Sequence, residues 1–320
     1  MKRIDMLMIF AILFCFAINA GAQDYPVKPV RVLVPFSKGS ATDLLARGVS
    51  EKLSEIWGHP VVAENVPGKG GTIATNMVAK TPPDGYTLLV HGAFAINPSF
   101  YKNLPYDPIK DFTDIVPLVR QPLALVVSKS ADIKSVSDLI ALAKSKPRQL
   151  KFGSPGTGSA AHLTAEKFRI MAGLDMEHVA YKGGPETLAA INSGDVSFSF
   201  LPIAFAKKSA EKGRILLLGV TSVQRTSVMP DIPTITEAGL TGFEYNHWWG
   251  VWGPADIPII IVEKIEKDVA RSLATPELKN LLLKLGVEPI RMTSKEFQKF
   301  VHHELESVAR TVKEGGIKPK

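Results

Sequence analysis

Three short stretches rich in serine, glycine and lysine carry the residues best suited to chemistry. Val30–Arg47, VRVLVPFSKGSATDLLAR, reads as a buried strand, a Ser/Gly loop and the start of a helix. Leu150–His162, LKFGSPGTGSAAH, and His178–Leu188, HVAYKGGPETL, repeat that arrangement. Each aims backbone N–H groups and a helix N-terminus at the end of a strand, which holds an anion without a metal or a cofactor. In the first loop, Phe36 is followed by amides of Ser37, Lys38, Gly39, Ser40 and Ala41 that are expected to receive a carboxylate, with Lys38 adding a cation. Ser40 reads as a helix cap. Asp43, three residues on, reads as its capping partner rather than a ligand, because a carboxylate repels an anion. The second loop offers hydroxyls and flexible amides from Ser154, Gly156, Thr157, Gly158 and Ser159. His162 lies in the first turn of the helix that Ser159 caps. A positive helix end disfavours its protonation, so it reads as a neutral donor. In the third loop, Tyr181 offers a hydroxyl or a ring wall, Lys182 a charge at the site or on the surface, and Gly183 an exposed amide.

Other stretches are less informative. Val66–Thr72, VPGKGGT, looks like a phosphate loop but lacks the G-x-x-x-x-G-K-[ST] spacing and reads as a structural turn. Trp248, Trp249 and Trp252 cluster where the chain is expected to return between lobes; they either wall a cleft or pack a seam. There is no G-x-S-x-G nucleophile elbow. His302-His303-Glu304 is not a zinc-binding H-E-x-x-H, and no Cys/His metal spacing occurs. No catalytic residue, metal ligand or cofactor is therefore predicted.

Alternating strand and helix patterns must position these loops. Strands are expected at Val30–Val34, Val61–Asn65 and Thr87–His91, with helices Thr42–Ile56 and Gly71–Ala79 between them. Leu44, Leu45, Val49, Leu53 and Ile56 form a helical stripe. A second series begins near Leu123, with strands at Leu123–Val127, Lys151–Gly153, His178–Ala180, Val196–Phe200 and Ile215–Val220. Helices Ser135–Lys146, Ser159–Met171 and Pro185–Asn192 are expected among them. Residues 224–258 show little regular pattern, and three helices end the chain. Proline follows Thr275 at a helix start, and Thr293-x-x-Glu296 is a capping box. This alternation predicts an α/β protein of two lobes with parallel sheets. The chain would cross between lobes near 120–127 and 243–253. A C-terminal helical segment would return to brace the first lobe. Ligands of open α/β sheets sit beyond the carboxyl ends of strands, which points to a cleft between the lobes.

The chain of 320 residues is long enough for two domains, and 45% hydrophobic with 22% charged residues is a globular balance. Lys2 and Arg3, the apolar run Met6–Ala17 and Ala20-Gly21-Ala22 read as a signal peptide cleaved after Ala22. Cys15, the only cysteine, falls inside it, so the mature chain has no thiol despite export. Cleavage removes two bases and one acid, changing the net charge from +7 to +6. The positive charge is scattered, with no basic stripe, and excludes nucleic acid as an expected partner. It also attracts anions at long range.

Several segments resemble the Bug, or TctC-like, family of periplasmic receptors of tripartite tricarboxylate transporters. They include YPVKP at Tyr25–Pro29, Val34-Pro35-Phe36 with Ala41-Thr42-Asp43, and Glu64-Asn65 through Gly70-Gly71-Thr72. PDGYTLL at Pro83–Leu89, Asn97-Pro98, LPYD at Leu104–Asp107 and Asp111-Phe112 continue the likeness. HVAYKGG at His178–Gly184, PDIPT at Pro230–Thr234 and EAG at Glu237–Gly239 complete it.

The resemblance implies a two-lobed, periplasmic-binding-protein type II-like fold. Each lobe is a sheet flanked by helices, with a ligand cleft between the lobes. The expected division is a signal peptide at 1–22, a discontinuous first lobe at 23–124 plus 250–320, and a second lobe at 125–249. Phe36–Ala41 and Ser154–Ser159 match the family's two carboxylate pincers, with His162 and Tyr181–Gly184 on the same side of the cleft. The implied role is capture of a small organic carboxylate, by a monomer, for delivery to transporter membrane subunits. A ligand-presenting partner of a sensor kinase and a periplasmic enzyme acting on carboxylates are the rival readings. The chain departs from the family at Ser37-Lys38-Gly39-Ser40, where Pro-Pro-Gly-Gly is usual; Lys38 either strengthens anion binding or blocks the entrance. It departs again at Phe198–Pro202, FSFLP, where an aspartate is common. This second change favours an aromatic or aliphatic ligand over an amino acid.

Overall fold

A computed structural model describes residues 25–319. The expected signal peptide and its cleavage site lie outside the described residues. Strand β1 (Val30–Val34) is flanked in parallel by β2 (Val61–Asn65) and β3 (Thr87–His91). Helix α1 (Ala41–Trp57) links β1 to β2, and α2 (Thr72–Ala79) links β2 to β3. Ser40 Oγ accepts the Asp43 N–H at the start of α1, and Gly58 closes its other end in the left-handed conformation. These boundaries follow the sequence pattern to within one residue at each end of both helices.

The strands beyond β3 are not all parallel. β4 (Phe112–Ser128) is one strand of 17 residues, far longer than the expected Leu123–Val127. β9 (Asn246–Pro254) occupies sequence that reads as irregular, and it pairs antiparallel with both β3 and β4. Pro117 sits beside a register shift in the β4–β9 ladder, which lets a proline enter a long strand. The first part of β4, up to Pro122, pairs with β9. From Leu123 onward it pairs antiparallel with β7 (Phe198–Pro202) and β8 (Ile215–Val220). β5 (Lys151–Ser154) then pairs in parallel with β7 and with β6 (Glu177–Ala180). The expected all-parallel sheets are therefore corrected to mixed sheets, because β4 and β9 run against their neighbours as the chain passes between lobes.

Helices cover both faces. In the first lobe, α8 (Ile259–Leu273) and α9 (Pro276–Leu285) join α1 over a core containing Leu45, Val90, Ile265 and Leu282. In the second lobe, α4 (Val136–Ser145) and α5 (Ala160–Met171) bury Leu139, Phe152, Phe168 and Phe200. The segment Phe198–Pro202 contributes Phe198 and Phe200 to this core. On the other face, α6 (Gly184–Ser193) and α7 (Ile203–Glu211) cover Val126, Leu201 and Leu217; α7 was not expected from the sequence.

The last helix, α10 (Ser294–Glu314), starts at the predicted capping box of Thr293 and Glu296. It contacts β4 and α3 (Asn97–Phe100) and also α5. Val308 and Val312 on α10 share a small core with Ile96, Phe100 and Leu163. The C-terminal helix thus braces both lobes, not the first alone. Among the described residues, no helix is long and apolar enough to cross a membrane.

Candidate ligand cavity between the lobes

The ends of β1, β3 and β9 face the end of β5 across a cavity of about 290 Å³. One wall comes from the first lobe: Phe36 after β1, Gly70, and Ala93 to Tyr101 after β3. His247 of β9 joins it. The other wall is the second loop, Pro155 to Ser159, with Ala160 at the start of α5. Of the expected site residues, Phe36, Gly156, Thr157, Gly158 and Ser159 line this space. Ser37, Lys38, Gly39, Ser40 and Ala41 lie outside its lining, and Lys38 is exposed. Ser154 and His162 are buried behind the second loop. Tyr181, Lys182 and Gly183 also lie outside its lining; the Tyr181 N–H donates to Ser154 O at 2.9 Å, and Lys182 is exposed. The Lys182 N–H donates to Glu186 Oε2.

Hydrogen bonding sorts the amides into tied and free. In the first loop, the Gly39 N–H donates to Asp43 Oδ2 at 2.8 Å, and the Ser40 N–H to Ser37 O. Asp43 also accepts from Asn65 Nδ2 and pairs with Arg47, while Asn65 holds Phe36 O. Burial alone would raise the Asp43 pKa, but Gly39, Asn65 and Arg47 outweigh it and hold the carboxyl below 3.8. Asp43 therefore ties the loop down from beneath, as its reading as a cap requires. In the second loop, the Gly156 N–H donates to Ser154 Oγ at 3.2 Å, and the Gly158 N–H to His162 Nδ1 at 3.2 Å. The Ser159 N–H goes to Gly156 O, and Ser159 Oγ caps α5 at the His162 N–H. The N–H groups of Thr157, Ala160 and Ala161 have no acceptor among the described residues. They lie at a helix N-terminus, where backbone dipoles favour negative charge.

The opposite wall is mostly apolar, with Asn97, Tyr101 and His247 as its polar residues. Phe36, Ile96, Phe100 and Tyr101 present side chains there, and no Lys, Arg, Asp or Glu is among the lining residues. Burial pushes His247 down to about 4 and His91, which stands edge-on to Phe36, down to about 3. Both imidazoles are neutral at pH 7. His91 Nδ1 accepts the Ala93 N–H at 2.8 Å and so sets the course of the chain toward α3. Gly158 touches the facing lobe: a Cβ on it would lie 3.2 Å from the Phe100 ring, and its φ is +83°. The turn Val66–Thr72 contributes Gly70, whose carbonyl accepts from Asn97 Nδ2 at 2.9 Å.

The three tryptophans do not line this cavity, and Trp248 stands at the seam, bordering a space shared with Leu163 and Lys167 of the second lobe. All are buried in the first lobe. Trp249 donates to Thr42 Oγ1, Trp252 to Asp114 Oδ1 and Trp248 to Glu304 Oε2. Sequence reasoning missed Ile96, Asn97, Phe100, Tyr101 and His247. The strand-end rule held a signal for them, since all follow β3 or open β9.

Comparison with known proteins adds identity to this geometry. The model of the tripartite tricarboxylate transporter family receptor, TctC, matches residues 45–317. Rpa4515 of R. palustris, solved with adipate, is 36% identical with a TM-score of 0.78, covering 92% of this chain and 100% of that one. The periplasmic binding protein BugD is 30% identical with a TM-score of 0.74, over 92% and 100% of the two chains. MatC of Rhodopseudomonas palustris, solved with bound malate, is 30% identical with a TM-score of 0.74, over 90% and 100%.

Proposed function

The chain belongs to the tripartite tricarboxylate transporter receptor family, and from that premise we propose that it is a periplasmic receptor for a small organic carboxylate. It captures the ligand between its lobes and delivers it to the membrane subunits of a tripartite tricarboxylate-type transporter. It acts by binding, not by catalysis. The observation that carries this reading is the pairing of the Thr157 and Ala160 amides, which have no acceptor among the described residues, with a facing wall whose lining includes no Lys, Arg, Asp or Glu. A carboxylate at those amides is held by charge-assisted hydrogen bonds. Closure of the lobes removes water and strengthens them.

The wall also defines the rest of the ligand. Phe36, Phe100 and Tyr101 suit an aliphatic or aromatic body. A ligand ammonium would find no carboxylate in this lining, so amino acids bind poorly. The lobes divide near Gln121–Leu123 and Glu244–Asn246, where β4 changes partners and the returning chain enters β9. Export follows from the leader, cleaved after Ala22.

A thermal-shift screen of residues 23–320 tests this function. A ligand that binds only the folded protein raises its melting temperature. The account expects a saturable shift with adipate or an aromatic acid, a smaller one with malate, and none with the corresponding amides or with glutamate. Shifts with amides equal to those with acids would overturn it.

A further inference from the structure

Two imidazoles lie directly under the second loop. His162, on the first turn of α5, and His178, on β6, stack with ring centroids 3.8 Å apart and 22° between planes. His162 is 2% exposed. Its Nδ1 accepts the Gly158 N–H, and its Nε2 faces Glu166 Oε1 at 3.7 Å. Glu166 Oε2 in turn accepts from Arg169 Nε at 2.7 Å. His178 Nε2 lies 2.7 Å from Ser154 Oγ, the atom that accepts the Gly156 N–H. The pair therefore reaches the loop at two alternate amides, Gly156 and Gly158. Thr157 between them, and Ala160 beyond them, remain free.

We propose, resting on the carboxylate reading of this cavity, that His162 and His178 are positioning residues. As a stacked pair they hold the Gly156 and Gly158 amides inward, so that the amides of Thr157 and Ala160 are turned to the ligand. His162 is thereby an acceptor for the protein's own backbone, not a donor to the ligand. Nδ1 can take the Gly158 hydrogen only while it carries none itself, which leaves the imidazole hydrogen on Nε2, toward Glu166. Two rings at this spacing cannot both carry charge without strong repulsion. Burial, with His162 beside it, pushes His178 down to about 4, and Glu166 only partly offsets this. The charged groups facing the pair are Glu166 and Arg169, both on α5. β5 supplies the Ser154 hydroxyl and the Phe152 ring stacked on His178, and α3 supplies the edge of Phe100.

The test uses the mature protein with adipate as probe. Asparagine places Oδ1 where Nδ1 stands, whereas the glutamine oxygen reaches the Nε2 position. His162→Gln and His162→Leu should weaken adipate binding about tenfold, the worth of one lost backbone hydrogen bond at the site. His162→Asn should recover affinity to within about threefold of the unaltered protein. The ratio of the unaltered protein's Kd to that of His162→Asn should stay constant from pH 6 to pH 8. Affinity of His162→Asn as low as that of His162→Gln would overturn the role, and so would a ratio that changes tenfold across that range, the mark of an imidazolium donor. Nitrogen NMR of the unliganded protein reads the same claim without a ligand: the uncharged form of the His162 imidazole should carry its proton on Nε2, and an uncharged form with the proton on Nδ1 would refute it. A protein that binds no adipate speaks against the ligand class only, and the His162 tautomer then decides the positioning role.

Discussion

Two loops of nearly the same sequence design meet different fates in this molecule. Phe36–Ala41 and Pro155–Ser159 both follow a strand, both end in a serine that caps a helix, and both carry a glycine in the left-handed region. Beneath the first lies a buried carboxylate, Asp43, which gathers Gly39, Asn65 and Arg47 around itself. Beneath the second lie His162, His178 and Ser154, with the buried Glu166 and its partner Arg169 behind His162. Both loops are tied from below, the first by a carboxylate bonded directly to its Gly39 amide, the second by imidazole and hydroxyl groups that stand between its amides and Glu166. The second loop has no carboxylate bonded to its amides and lines the cavity along its length, whereas the first contributes only Phe36. Anion-binding capacity is thus decided by what supports a loop, as much as by its own glycines and serines.

The sharpest way to break this comparison is Gly158→Val. A β-branched residue at φ +83°, facing Phe100, costs about 2–3 kcal/mol of local strain. It should abolish measurable carboxylate binding in calorimetry, while unaltered affinity would mean that the second loop is not the site. Asp43→Ala comes next. It leaves the Gly39, Asn65 and Arg47 donors without their acceptor and should cost about 2 kcal/mol in urea unfolding, with ligand affinity falling no more than about threefold. A larger loss of affinity than of stability would place the carboxylate at the first loop instead.

The two loops should also differ in acid. Asp43 has its pKa lowered on folding, so the folded chain binds fewer protons than the unfolded one. Its contribution is complete above the ordinary aspartate value of 3.8 and is lost as pH falls through the depressed folded value. Urea titrations between pH 6 and pH 3 should therefore show a steeper loss for the unaltered protein than for Asp43→Ala, and parallel curves would contradict the tie. Lys38→Ala should have the smallest effect. Lys38 is exposed and outside the cavity lining, so its removal should slow carboxylate association no more than about twofold at low salt and not at all near 0.5 M, where screening is complete.

Local signals in the sequence were legible because they are local. The caps at Ser40, Ser159, Thr275 and Thr293 all formed, and strands β1, β2 and β3 lie where the apolar runs place them. β4 was legible only in its second part, because Pro117 and Pro122 interrupt the strand pattern and a bulge accommodates Pro117. β9 was hidden by glycine and tryptophan, although its position between two strands buries both of its faces. The apolar wall was the least legible part of the cavity. Phe100 and His247 are separated by almost half the chain, and the Asn97-Pro98 motif beside Phe100 does not by itself point to a ligand. Only the pairing of β3 with β9 brings their segments together. His162 was legible as lying in the first helical turn beside the loop, but not which of its nitrogens would be taken by Gly158.

The most direct test of the central claim is an amide-resolved NMR titration of residues 23–320 with the acid that gives the largest thermal shift. The account predicts that the Thr157 and Ala160 amides move most, downfield and saturably, and that the matching amide compound leaves them in place. Largest shifts confined to Ser37–Ala41, or spread over a face remote from both loops, would contradict it.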